Sequence, residues 1–127
     1  MATKESDIHD HYKNKLVDAK ENSTVYTNCF NREWDAMHRV LRNNTFNNWE
    51  AEGCPLKGNK PGEEDILAVH PEFGPSYRYS SMPPAKGHTT GNLDDLIMYA
   101  GEGVSTIDDI PSAADLIKRL WEEFENN

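Results

Sequence analysis

The sequence is poor in most of the features that mark a specialised class. It has two cysteines, Cys29 and Cys54, too few for a disulfide framework, so a cytoplasmic chain with reduced thiols is expected. No apolar run approaches the roughly 18 residues of a membrane-spanning helix. The opening Met1-Ala2-Thr3-Lys4-Glu5-Ser6 has no apolar signal region. Basic residues are outnumbered, 13 against 22 acidic ones, for a net charge of -9. Lys and Arg are also scattered, which argues against nucleic acid and anionic membranes as partners. Apolar residues make up only 36% of the 127 residues, and the mean hydropathy is -0.82. Such a core is lean for a chain that must offset its backbone entropy by burial. A phosphate-binding glycine loop is missing as well. Gly101-Glu102-Gly103 lacks the third glycine, and its glutamate would repel phosphate. Asn22-Ser23-Thr24 and Asn43-Asn44-Thr45 fit the glycosylation pattern, but without a secretory signal they read as chance.

What is present reads as one unit without repeats. Ile8, Tyr12, Leu16 and Ala19 fall at helical spacing, with Ser6 or Asp7 as the cap. Thr24-Val25-Tyr26-Thr27 is a short β-favouring run. Trp34 to Leu41 is expected to be helical, with Trp34, Met37, Val40 and Leu41 on one face. A second helix is expected from Thr45 to Glu52, stopped by Gly53-Cys54-Pro55. Loops follow over 53–62 and 82–91. Short strands are expected over Glu64–Val69 and Ser76–Ser80. Asn92 is expected to cap a helix through Leu93, Leu96, Ile97 and Tyr99, ended by a left-handed glycine at Ala100-Gly101. The last helix, from about Ile110 or Pro111 to Phe124, carries Ala113, Leu116, Ile117, Leu120, Trp121 and Phe124 as one stripe, with Ser112 and Asp115 set as a capping pair. Nothing after that stripe offers it a surface to pack on.

The candidate chemistry is thin. His9-Asp10-His11 places two imidazoles at i and i+2, which diverge on a helix, and a zinc site needs more ligands; no metal is expected. Cys29 and His38 could be a nucleophile and its base, but the spacing favours a buried thiol and a surface imidazole. Glu63-Glu64-Asp65 reads as a solvated turn or a helix start rather than an acid/base pair. Tyr77 and Tyr79 would share one face of a strand and Arg78 the other, giving a tyrosine face on a core or, less simply, a ligand wall. No catalytic residue is assigned.

Several segments, taken in order, resemble the C-terminal third of the nitronate monooxygenase (2-nitropropane dioxygenase) family. These are Met1–Ser6 with His9 and Tyr12-Lys13, and Thr24-Val25-Tyr26-Thr27. Next come His38-Arg39-Val40-Leu41-Arg42-Asn43, Trp49-Glu50 and Gly53-Cys54-Pro55. Lys60-Pro61-Gly62-Glu63, Tyr77-Arg78-Tyr79-Ser80, Tyr99-Ala100-Gly101-Glu102-Gly103-Val104 and Asp109-Ile110-Pro111-Ser112-Ala113-Ala114 complete the set. The resemblance implies a (β/α)8-type barrel that binds FMN and oxidises alkyl nitronates with O2 to carbonyl compounds and nitrite. It also implies that the catalytic histidine and most flavin-contacting glycines belong to segments before Met1. None of His9, His11, His38, His70 or His88 matches that histidine.

The expectation is therefore a single segment over 1–127, an α-rich α+β arrangement with long loops and not a complete barrel. FMN belongs to the full-length family, and none is expected on this chain alone. Tyr99, Gly101, Glu102 and Gly103 are the candidate substrate-side loop. The family usually has Gln where Glu102 stands, and a carboxylate facing the site would disfavour an anionic nitronate. The expected partner is the missing N-terminal barrel portion, or another copy met through apolar faces. The alternative is a small acidic, non-catalytic protein that binds a partner through an apolar helix face.

Overall fold

A computed structural model describes residues 1–87 and 89–126. His88 lies outside the described residues. Helix α1 spans Asp10–Asp18, and its cap is His9, whose Nδ1 accepts from the His11 N–H at 3.0 Å. The cap therefore lies two or three residues later than Ser6 or Asp7. Strands β1 (Thr24–Thr27) and β2 (His38–Leu41) pair antiparallel, with Thr24 opposite Leu41 and Thr27 opposite His38. Helix α2 spans Asn44–Ala51, with the Asn43 side chain accepting from the Phe46 N–H at 3.0 Å. It stops where Gly53 and Cys54 both adopt positive φ, 86° and 56°. Strands β3 (Ile66–His70), β4 (Gly74–Tyr77) and β5 (Thr89–Gly91) form a second antiparallel sheet in the order β4-β3-β5. Short 3-10 turns follow at Leu93–Asp95 and Glu102–Thr106. Helix α3 (Ala113–Glu125) is capped by Ser112, which accepts from the Asp115 N–H at 3.1 Å.

Two expected helices are not there, for the same reason. Between Trp34 and Leu41 only β2 is regular, and it is extended. Trp34 and Met37 are exposed, while Val40 and Leu41 are buried in different clusters. Adjacent residues can enter two cores only if they point to opposite sides, which a strand does and a helix does not. The run Leu96–Ala100 behaves alike. It lies along β2, with Leu41 N donating to Met98 O at 2.8 Å, Ala100 N to Arg39 O at 3.3 Å, and Val40 bridged to Tyr99. Ile97 then falls in one cluster, and Met98 and Ala100 in the other. A strand buried on both faces reads as an unbroken apolar run, which a helical spacing mimics. The fold is thus a loop-rich mixture of helix and strand, with less regular helix than the α-rich expectation. Its strands make two open sheets among the described residues, and no barrel closes.

The β2–Leu96–Ala100 pair forms the middle layer. On one side Val40 and Ile97 pack with Cys29, Phe30, Phe46, Trp49 and Tyr79. On the other, Leu41 and Met98 pack with Tyr12 and Leu16 of α1 and with Val104. Leu67, Ala68 and Leu96 join the second sheet to this body. Polar bonds complete the join. Arg78 reaches Asp65 at 3.1 Å and Asp95 at 3.4 Å, and Thr45 donates to Asp95 O at 2.7 Å. The Tyr77–Tyr79 triplet does not lie in one strand, because β4 ends at Tyr77. Tyr79 is buried, donating to Pro61 O at 2.6 Å. Tyr77 instead lies under the Arg32 guanidinium at 3.8 Å.

Candidate functional site

The stretch from Tyr99 to Gly103 leaves the middle layer and turns into the second 3-10 turn. Tyr99 is held at both ends. Its Oη donates to Ser81 O at 2.7 Å, and its own carbonyl accepts from Tyr12 Oη at 2.5 Å. Burial, and then the nearby Glu33 charge, raise the Tyr99 phenol above its usual range, so it stays a donor. Glu33 fixes the neighbouring wall, accepting from Ser80 Oγ at 3.0 Å and Ser81 N at 2.7 Å.

Against Tyr99 lies His38. Its ring is edge-on to Tyr99 at 5.4 Å and to Trp34 at 4.9 Å. It is 5% exposed, and neither ring nitrogen has a hydrogen-bond partner. The expectation of a surface imidazole is wrong, since His38 points inward from β2. Burial lowers its pKa, so it is neutral near pH 7. Cys29 is buried as expected, and burial pushes its thiol up to about 12, which leaves no thiolate for nucleophilic work. Sequence reasoning treated His38 only as a partner for Cys29. The signal that could have found its burial is the alternation from His38 to Leu41.

Glu102 goes to the other side of the strand. Its carboxylate is exposed and pairs with Arg39 at 3.2 Å. Arg39 also donates to Thr24 Oγ1 at 3.3 Å and lies 5.6 Å over the Tyr26 ring. Adjacent β2 residues therefore hold the two ends of the loop apart: His38 faces Tyr99, and Arg39 faces Glu102. Gly101 is extended, with φ -79°, so the expected left-handed helix stop is not made. A Cβ at Gly101 or Gly103 would meet nothing within 4 Å. Neither glycine is needed by this chain's own packing or backbone, and the space above both is open.

The other candidates are absorbed by structure. His9 caps α1, and His11 with Lys15 (3.3 Å) holds Asp94, whose pKa is lowered chiefly by the His11 hydrogen bond. Glu63 accepts from Gly58 N at 2.8 Å, and Glu64 pairs with Arg32 at 3.4 Å. Both cysteines are free. Among the described residues no three His, Cys, Asp or Glu side chains group as metal ligands. No helix among them is long and apolar enough to cross a membrane.

An FMN phosphate needs open N–H groups, usually at a helix N-terminus. Among the described residues the N-termini of α1, α2 and α3 are already capped by side chains, those of His9, Asn43 and Ser112. The space above Gly101 and Gly103 is open, and no α-helix N-terminus among the described residues is left free for a phosphate.

With this geometry in place, comparison with known proteins gives the class. The nitronate monooxygenase family model matches residues 1–123, and the chain belongs to that family. The family is one of flavin-dependent oxidoreductases. Among solved structures, the chain is similar to a FabK mutant from Thermotoga maritima, with a TM-score of 0.53 and 20% identity. The match covers 98% of this chain and 30% of that one, and at this identity the likeness concerns the fold alone. No curated protein matches the sequence.

Proposed function

We propose that this chain is the C-terminal part of an FMN-dependent oxidoreductase of the nitronate monooxygenase family, acting on alkyl nitronates. In this reading Tyr99, Gly101, Glu102 and Gly103 form a substrate-side wall, and a barrel portion carries the flavin and the catalytic histidine. The observation that carries the wall is the glycine pair. Glycine without positive φ and without close neighbours has no use inside this chain, and it suits a surface that another group approaches. The family match and the 30% span of the structural neighbour support a part over a whole.

Within the wall the residues have separable roles. Tyr99, fixed through Ser81 and Tyr12, keeps the loop in place. Glu102 brings a charge that Arg39 offsets. That pairing answers the difficulty of a carboxylate beside an anionic substrate, although exposure makes it weak. The chain alone is proposed to be inactive and flavin-free. Titration of FMN into the purified chain, with nitrite release from an alkyl nitronate followed in parallel, tests this. The expected result is no stoichiometric flavin and no nitrite. Tight one-to-one FMN binding would overturn the reading.

A further inference from the structure

Lys60 has no part in the wall at Tyr99–Gly103. It lies in the loop between α2 and β3 and is only 6% exposed. Its Nζ donates to Cys29 O at 2.8 Å and to Asn31 Oδ1. Both acceptors are neutral, and among the described residues no carboxylate lies within ion-pair distance of this nitrogen. A buried cation is costly unless an opposite charge joins it. The Tyr79 ring, 4.8 Å from Nζ, is a weaker partner than a carboxylate. Desolvation lowers the Lys60 pKa from its ordinary value, and the Lys57 charge lowers it further, outweighing the opposite pull of Cys29, Glu63 and Asp35. A neutral amine suits these neighbours. Its two N–H groups serve the two oxygens, and its lone pair is left over.

A cavity lies beside that lone pair. Asn31 and Tyr79, the acceptor and the ring next to Nζ, line a pocket of about 190 Å3 together with Lys60. Arg32, Lys57, Glu63 and Glu64 complete its charged lining. Glu63 already accepts from Gly58 N at 2.8 and 3.0 Å, and Glu64 pairs with Arg32 at 3.4 Å. Lys57 donates to Arg32 O at 2.9 Å and meets no carboxylate among the described residues. Its remaining N–H groups give the pocket a positive charge that nothing neutralises. A desolvated amine with a second cation nearby is the setting in which lysine attacks carbonyl carbon.

We propose that Lys60 is a modification site for small α-oxo acids, capturing their carbonyl carbon as a Schiff base while Lys57 holds their carboxylate. The nitrogen lone pair forms the N–C bond, and the carbonyl π pair moves to oxygen. One amine proton passes to that oxygen. The C–O bond then breaks, and the second amine proton leaves with the hydroxyl as water, which gives C=N. Nothing is oxidised or reduced. The inference does not rest on the flavin reading.

Treatment of the full 127-residue chain with glyoxylate and cyanoborohydride near neutral pH, followed by peptide mass mapping, tests it. Reduction fixes each imine as a carboxymethyl amine, so all lysines compete in one sample. Lys60 should be labelled several-fold faster than Lys20 and Lys118, which are exposed. That lead should shrink as the pH approaches the ordinary lysine value of about 10.4, where exposed amines also become neutral. Lys57→Ala, at an exposed site, should slow labelling of Lys60 by glyoxylate several-fold, and by more than it slows labelling by the uncharged propionaldehyde. Labelling of Lys60 no faster than that of the exposed lysines overturns the proposal. So does a Lys57→Ala chain that slows both aldehydes equally or neither.

Discussion

His38 is a neutral imidazole between two aromatic edges, and neither of its nitrogens is hydrogen-bonded. A buried donor and acceptor left in this way cost stability that an apolar ring of similar shape would not. His38→Phe is expected to raise unfolding stability by about 1 kcal/mol, read from chemical denaturation. The pH dependence has a definite sign. Burial lowers the folded-state pKa below the ordinary 6.5, so as pH falls past that value the unfolded chain takes up a proton first. Stability should therefore fall below about pH 6.5 and level off below the folded-state value, and His38→Phe should remove that share of the fall. Tyr12→Phe tests the opposite situation. It deletes the 2.5 Å bond to Tyr99 O, and the stranded carbonyl should cost roughly 1–3 kcal/mol in the same denaturation experiment.

At the scale of elements, strand β5, which forms where residues 82–91 were expected to be loop, makes a sharp prediction. Gly91 ends β5 at φ 116°, and a Cβ there would come within 1.7 Å of Leu67 O. Gly91→Ala should therefore displace β5 from β3, at a cost of about 1–3 kcal/mol or more, visible as faster amide exchange at Leu67 and Ala68. Gly101→Ala, where a Cβ meets nothing, should leave the melting temperature unchanged. This contrast was not legible in the sequence, because the atoms that a Cβ would meet at Gly91 belong to Leu67, far away in the chain. The sequence does specify the helix that packing does not override. The Ser112 cap and the full stripe of α3 match the expected pattern almost residue for residue. Helix α2 also forms within a residue of expectation, because Asn43 and Gly53 bound it locally.

At the scale of the whole molecule, the apolar stripe of α3 was legible in the sequence, and Ile117, Leu120, Trp121 and Phe124 are exposed. Membership in the nitronate monooxygenase family was legible too, through short motifs in a fixed order. Where the candidate loop points was not legible. In a whole enzyme of this family, Glu102→Gln is expected to lower KM for an anionic nitronate with kcat little changed. The basis is that it removes a charge and frees Arg39, now 3.2 Å from Glu102. An unchanged KM would place Glu102 away from the substrate.

The sequence by itself determined the elements whose signals are local: the cap and stripe of α3, the bounds of α2, the turn chemistry near Gly53, and the family. Tertiary structure decided Val40–Leu41 and Leu96–Ala100. An apolar run fits a helix or a doubly buried strand equally well until the layers on both sides are known. It also decided the fate of His38, because an imidazole's burial depends on which residues close over it, and Trp34 and Tyr99 arrive from separate parts of the chain.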